Sequence, residues 1–199
     1  MLQLSQIKTA PNQLTLLRLI FVPFIVSAVM EGHYTTALIL FILAGVSDGL
    51  DGLLARALNQ RTLLGQYLDP IADKLLLSTL FLVLSFEHQI MWRITVTVFS
   101  RDIIILVVCA LLYMTTDLRD FRPSIYGKMN TVAQIATLFF VMLDQVVTAQ
   151  WVDQLKVLLI WTTFALTIFS ALHYVWLVGE RLKKVSGAHK SERLPPGEI

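Results

Sequence analysis

Six long apolar stretches, at about 13–30, 34–56, 69–86, 90–114, 129–148 and 153–178, dominate this chain of 199 residues. A helix needs about 20 mostly apolar residues to cross the hydrocarbon core of a bilayer, and each stretch is near that length. Charged residues make up 15% of the chain and hydrophobic residues 56%, whereas a soluble domain carries roughly a quarter charged residues. Too few charges remain to coat a water-facing surface. The expected fold is therefore an all-α integral membrane bundle of six transmembrane helices.

The basic residues orient that bundle. Lys8 precedes the first stretch, Arg56 and Arg61 follow the second, and Arg119, Arg122 and Lys128 follow the fourth. Arg181, Lys183, Lys184, Lys190 and Arg193 follow the sixth, while the alternate connections hold Glu31, His33, Glu87, His88, Asp144 and Asp153 with almost no Lys or Arg. This is the positive-inside pattern, and it predicts a multi-pass protein with both termini cytoplasmic. Residues 1–180 read as a single membrane domain, with residues 1–10 as a short surface helix. Residues 181–199 are polar, end near Pro195, Pro196 and Gly197, and read as a flexible cytoplasmic tail. No small-residue cleavage site follows the first apolar run, which reads as a retained span. The one cysteine, Cys109, excludes a disulfide within the chain and a cysteine-based metal site. The four histidines are spaced for neither a metal nor a nucleophile pair, and a net charge of +2 offers no argument for a nucleic-acid partner.

The chemistry is concentrated in residues 47–75, SDGLDGLLARALNQRTLLGQYLDPIADKL. Asp48 and Asp51 are three apart and share a helical face, as do Asp69 and Asp73, four apart. Pro70 is expected in a first helical turn, where its missing N–H costs nothing. The short connection predicts that the two helices are antiparallel neighbours whose acidic ends meet at the cytoplasmic side. Four carboxylates at a membrane face repel one another and are costly to desolvate, and divalent cations remove both costs. An all-oxygen donor set without His or Cys points to two Mg²⁺ or Mn²⁺ ions, the arrangement used for displacement at phosphorus. Gly52 and Gly65 remove side chains beside the acids, Ala55 keeps the next turn small, and Arg56 adds a cation where a diphosphate requires one. Close helix packing would also account for the glycines.

The series Asp48-x-x-Asp51-Gly52-x-x-Ala55-Arg56, eight residues, Gly65-x-x-x-Asp69-x-x-x-Asp73 resembles the signature of the CDP-alcohol phosphotransferase (phosphatidyltransferase) family at every fixed position. The resemblance implies six helices around a polar cavity open to the cytoplasm, a homodimer, and a place in the bacterial inner membrane. It implies CDP-diacylglycerol as donor, an alcohol or phospholipid as acceptor, and membrane lipids as surroundings. By the same likeness Asp48, Asp51 and Asp69 are metal ligands. Asp73 touches the metal site and acts as general base, and Gly52, Ala55, Arg56 and Gly65 line the cytidine-diphosphate site.

The acceptor is less constrained. The run PNQLTLLRLIFVPFIV resembles the first helix of family members that make phosphatidylglycerol phosphate or cardiolipin. In it Asn12, Thr15 and Arg18 repeat at helical spacing toward the donor phosphates; a capped helix entry with a snorkelling arginine is the plainer alternative. Arg101-Asp102 lies near the middle of the fourth stretch, a costly place unless it faces the cavity, and forms either an acceptor site or a self-satisfied structural pair. Lys128 is placed in a basic cytoplasmic loop, to meet the acceptor's phosphate or anionic head groups, and Lys74 reads as an interface anchor. Glycerol-phosphate users tend to show Arg-Glu in place of Arg101-Asp102, and GKMNTVAQ at 127–134 is similar to cardiolipin-making members. Both features tilt the expectation toward phosphatidylglycerol over glycerol 3-phosphate, with inositol phosphate or serine behind them. A transporter would show broken helices and repeated halves, and a non-catalytic scaffold would not keep every acidic position filled.

Overall fold

The computed structural model describes the backbone of residues 10–57, 63–115 and 125–192, and the side chains of 16–47, 49, 72–107, 125–176 and 179. The described residues form six helices and no strand. These are α1 (Ala10–Met30), α2 (Tyr34–Ala57), α3 (Leu63–Phe86), α4 (Trp92–Thr115), α5 (Ile125–Asp144) and α6 (Gln150–Glu192). Each apolar stretch is one helix, so the all-helical expectation holds. Residues 1–9, expected as a surface helix, lie outside the described residues.

Three boundaries differ from expectation. Helix α3 begins at Leu63, which puts Pro70 inside the helix and not in its first turn. Helix α5 begins at Ile125, so Lys128 occupies its first turn and not a loop. Helix α6 continues to Glu192, past the end expected near 178. Hydropathy marks only the apolar part of a helix. The flanking residues here, such as Leu63, Leu64 and Gln66 or Arg181 to Lys184, favour helix without being uniformly apolar.

Short connections at 31–33, 87–91 and 145–149 gather the ends of α1/α2, α3/α4 and α5/α6. Gly32 has φ 75°, and His33 N–H donates to Ala28 O at 2.8 Å, a left-handed helix stop that suits glycine. Gln145 Nε2 donates to Gln89 Oε1 at 2.8 Å, tying two of these connections together. Lys156 bridges Asp144 and Asp153 across the α5/α6 turn.

The apolar core sits in the half of the bundle next to these connections. It contains Ile25 and Val29 of α1, Ala37 and Phe41 of α2, Leu80, Phe81 and Leu84 of α3, Ile94 and Val98 of α4, and Leu138, Val141 and Met142 of α5. The buried residues of the other half include Arg18, Arg101, Asn130, Gln134, Thr167 and Ser170, while Ile20, Phe24, Ile39, Leu106, Val132, Leu158, Leu172 and Trp176 are exposed. Apolar residues outside and polar ones inside invert the usual arrangement in water. Among the described residues one helix, over Gln150–Trp176, is long and apolar enough to cross a membrane, with shorter apolar helices at Leu16–Met30 and Tyr34–Ser47.

The neighbour relation expected for α2 and α3 is modified. Helix α1 packs extensively on both, and the two acid-bearing helices line a shared cavity. Among the described residues α2 and α3 do not pack extensively on each other, which corrects the expectation that they are direct neighbours: α1 packs against both.

Candidate active site

The cavity has a volume of about 560 Å³ and is lined by α1, α2, α3 and α5. Among the described residues its charged lining consists of Arg18 and Asp73; Gly45 and Thr131 join them, and the other described walls are apolar, including Phe41, Leu77 and Phe140. A Cβ added at Gly45 would meet nothing within 4 Å, so this glycine borders open space and does not serve close helix packing. Nothing in the sequence motif marked Gly45, because it lies one turn before the first aspartate.

Asp73 reaches the cavity with 43% of its side chain exposed, and an Arg18 guanidinium N–H donates to its Oδ1. Arg18 is itself 1% exposed. Helix α1 delivers the arginine because Arg18 faces inward between its two partner helices. The sequence placed Arg18 at a snorkelling or phosphate-facing position; the structure places it on the carboxylate expected to act as base. Spacing along one helix cannot reveal a partner 55 residues away.

A second charged group extends from the same turn of α3. Lys74 Nζ lies 2.6 Å from Asp102 Oδ1, and Arg101 Nη1 lies 2.7 Å from the same oxygen. Arg101 Nη2 donates to Ser170 Oγ of α6 at 3.0 Å. Lys74 is therefore part of an ion group that bridges α3 and α4 and not a simple interface anchor. The Arg101-Asp102 pair is bonded within itself, as a structural pair would be, but shares its carboxylate with the residue following Asp73. Asp102→Asn leaves two cations with no carboxylate, and is expected to cost about 2–3 kcal/mol, less than a fully buried pair because Lys74 stays half exposed. Thermal unfolding in detergent checks this, with Ser170→Ala, which removes one hydrogen bond, expected to shift Tm less.

The remaining expected site residues are less fully described. Asp48, Asp51, Gly52, Ala55 and Arg56 lie on α2 and Gly65 and Asp69 on α3, as the motif required, but their side chains lie outside the described residues. The same holds for Asn12 and Thr15 on α1. Lys128 is exposed. Among the described residues no group of three or more His, Cys, Asp or Glu converges. The helical placement still fits a metal pair: spacings of three and four are realised on helices, the two acid pairs flank one short connection, and carboxylate oxygen suits a hard divalent cation.

The comparisons with known proteins bear on this arrangement. A family model described as CDP-alcohol phosphatidyltransferase matches residues 8–169. Relatives from Shigella flexneri serotype 5b (strain 8401) and Escherichia coli (strain K12) are each 34% identical over 172 residues, covering 83% of this chain and 92% of their own length. Both are named CDP-diacylglycerol–glycerol-3-phosphate 3-phosphatidyltransferase. The matched region spans α1 to α5 and the first part of α6 and includes both acid pairs, Arg18, Arg101 and Lys128, and on that basis this chain is an enzyme of the CDP-alcohol phosphatidyltransferase family.

Proposed function

We propose that this enzyme transfers the phosphatidyl group of CDP-diacylglycerol to glycerol 3-phosphate and releases CMP, as a six-span protein of the bacterial inner membrane with its site on the cytoplasmic side. The single observation that carries the reading is Asp73, half-exposed beside Arg18 in a cavity whose described walls are otherwise mostly apolar. A lipid donor needs its reacting phosphate against a carboxylate and its acyl chains against apolar surface, and this cavity offers both. The names of the relatives turn the acceptor from phosphatidylglycerol, toward which the sequence tilted, to glycerol 3-phosphate. Residues 1–180 form the catalytic membrane domain in this reading and 181–199 its cytoplasmic extension; the active form is a homodimer.

Asp48, Asp51, Asp69 and Asp73 would hold two Mg²⁺ or Mn²⁺ ions. Such ions neutralise charge on a pyrophosphate and on the departing phosphate. Arg18 holds the Asp73 carboxylate in a fixed position at the cavity wall. Asp73 takes the proton of the acceptor hydroxyl; the hydroxyl oxygen bonds to the β-phosphorus while the bond from that phosphorus to the bridging oxygen breaks, and CMP leaves with that oxygen. Gly52, Ala55, Arg56 and Gly65, with Asn12 and Thr15, bind the cytidine diphosphate.

An acceptor screen tests the proposal. Purified protein in detergent, given CDP-diacylglycerol and Mg²⁺, is expected to release CMP with glycerol 3-phosphate and to yield phosphatidylglycerol phosphate by mass. Chelation by EDTA is expected to stop release and added Mg²⁺ to restore it. Release with phosphatidylglycerol alone would move the assignment to cardiolipin synthesis, and release with inositol phosphate or serine alone would overturn the acceptor. No CMP release with any acceptor would sink the reaction class.

A further inference from the structure

The cavity beside Asp73 has two unlike ends. Helices α1, α3 and α5 run toward the short connections and α2 runs away from them. Arg18, Gly45, Asp73 and Thr131 all lie roughly three turns from a connection, which puts them at one level of the bundle. Phe41, Phe139 and Phe140 lie only about one to two turns from a connection, deeper in the apolar half. The lining of α5 extends from Thr131 to Phe140, which is about 14 Å of helix. That length is close to half of the roughly 30 Å hydrocarbon core, the depth of one leaflet.

The cavity also has an outward side. Ile42 and Val46 of α2, with Val132 and Ile135 of α5, line it and are exposed. Each pair is one helical turn apart, so two apolar rails flank the cavity on α2 and α5. An apolar mouth of this kind is a liability in water. Facing lipid tails it costs nothing, because the tails are as apolar as the rails.

Aromatic rings occupy the deep end. Phe139 and Phe140 meet edge to face with centroids 5.3 Å apart. Phe41 belongs to the apolar core and Phe139 packs against it, whereas Phe140 stands outside that core. Of the three rings, Phe140 is the one least bound up with folding.

We propose that this cavity seats one acyl chain of the CDP-lipid and that Phe140 ends the seat, so that the enzyme selects its donor by chain length. The inference rests on the phosphatidyltransferase reading above and deepens it by naming what the donor's tail must be. The occupant is a lipid tail because the cavity joins a carboxylate and a guanidinium at one end to apolar walls one leaflet deep. A chain that reaches the ring fits with its phosphate at Asp73, and a longer one collides. The second chain leaves between the rails and stays in the bilayer.

The test offers the full chain CDP-dilauroylglycerol, CDP-dipalmitoylglycerol and CDP-diarachidoylglycerol at equal mole fraction in the same mixed micelles, with Mg²⁺ and glycerol 3-phosphate. Products are separated by mass. Wild type should use the diarachidoyl donor less than the dipalmitoyl one. Phe140→Ala opens the deep end and is expected to raise the diarachidoyl-to-dipalmitoyl product ratio by about tenfold. Ala136 lines the cavity one turn before Phe140, so Ala136→Leu shortens the seat. It should raise the dilauroyl-to-dipalmitoyl ratio by a similar factor, a shift of opposite sense. Unchanged ratios in a folded variant, or shifts of the same sense in both, would overturn the proposal. Should one variant fail to fold, the sense of the shift in the other decides.

A second readout needs no turnover. Dipalmitoyl donor should raise the wild-type Tm more than diarachidoyl donor does, and Phe140→Ala should close that gap. Equal rises in wild type for all three donors would also overturn the proposal. If wild type releases no CMP, the reaction reading fails, and the acyl seat is decided by this stabilisation alone.

Discussion

Asp73→Asn should lower CMP release by about 10³-fold, within the range contributed by a positioned general base, while CDP-diacylglycerol binding stays within a few-fold of wild type. The amide has nearly the carboxylate's shape, can still accept a hydrogen bond from Arg18, and lies in the same half-exposed position on the cavity wall. What it loses is the capacity to take a proton from the acceptor hydroxyl. Single-turnover CMP release together with equilibrium binding of the CDP-lipid separates the two contributions. Turnover near wild type would remove Asp73 from the base role, and loss of binding equal to the loss of rate would make it a binding residue.

The next largest effect is expected from Arg18→Met. Methionine approximates the arginine stem but leaves the Asp73 carboxylate without the guanidinium that fixes it. A displacement of about 1 Å at a reacting group is enough to cost roughly 10²-fold in rate, and kcat should fall by that order. Arg18→Lys should recover part of the loss, since it restores a charge but not the planar fork. Because Arg18 is 1% exposed, Tm must be measured alongside kcat. Equal falls in Tm for Met and Lys with kcat retained would mean that the pair serves folding alone. A kcat that tracks the Asp73 contact at unchanged Tm would mark Arg18 as a positioning residue.

The two predictions differ in how far the sequence supported them. Asp73 was legible as part of a dense motif in which eight residues recur at fixed spacing. Such a motif is local: its members lie on two consecutive helices, and helical periodicity alone aligns the members of each pair. Arg18 was legible only along its own helix, as a phosphate-facing or snorkelling residue in line with Asn12 and Thr15. Its meaning depended on which helix packs against which, and no spacing rule reaches from α1 to α3. The same holds for Asn130 and Gln134, which were legible only as members of the run GKMNTVAQ and whose burial is a property of the fold.

Hydropathy and charge determined six helices and their expected orientation, because the length of an apolar run and the placement of Lys and Arg act along the chain without reference to neighbours. They also determined which residues carry the acidic motif. Only the tertiary structure decided that α1 packs on both acid-bearing helices, that the apolar core gathers at one end, and that the other end buries cations and amides. The physical reason is that packing chooses partners by shape and by the satisfaction of buried polar groups. Those quantities exist only once distant segments share the same interior.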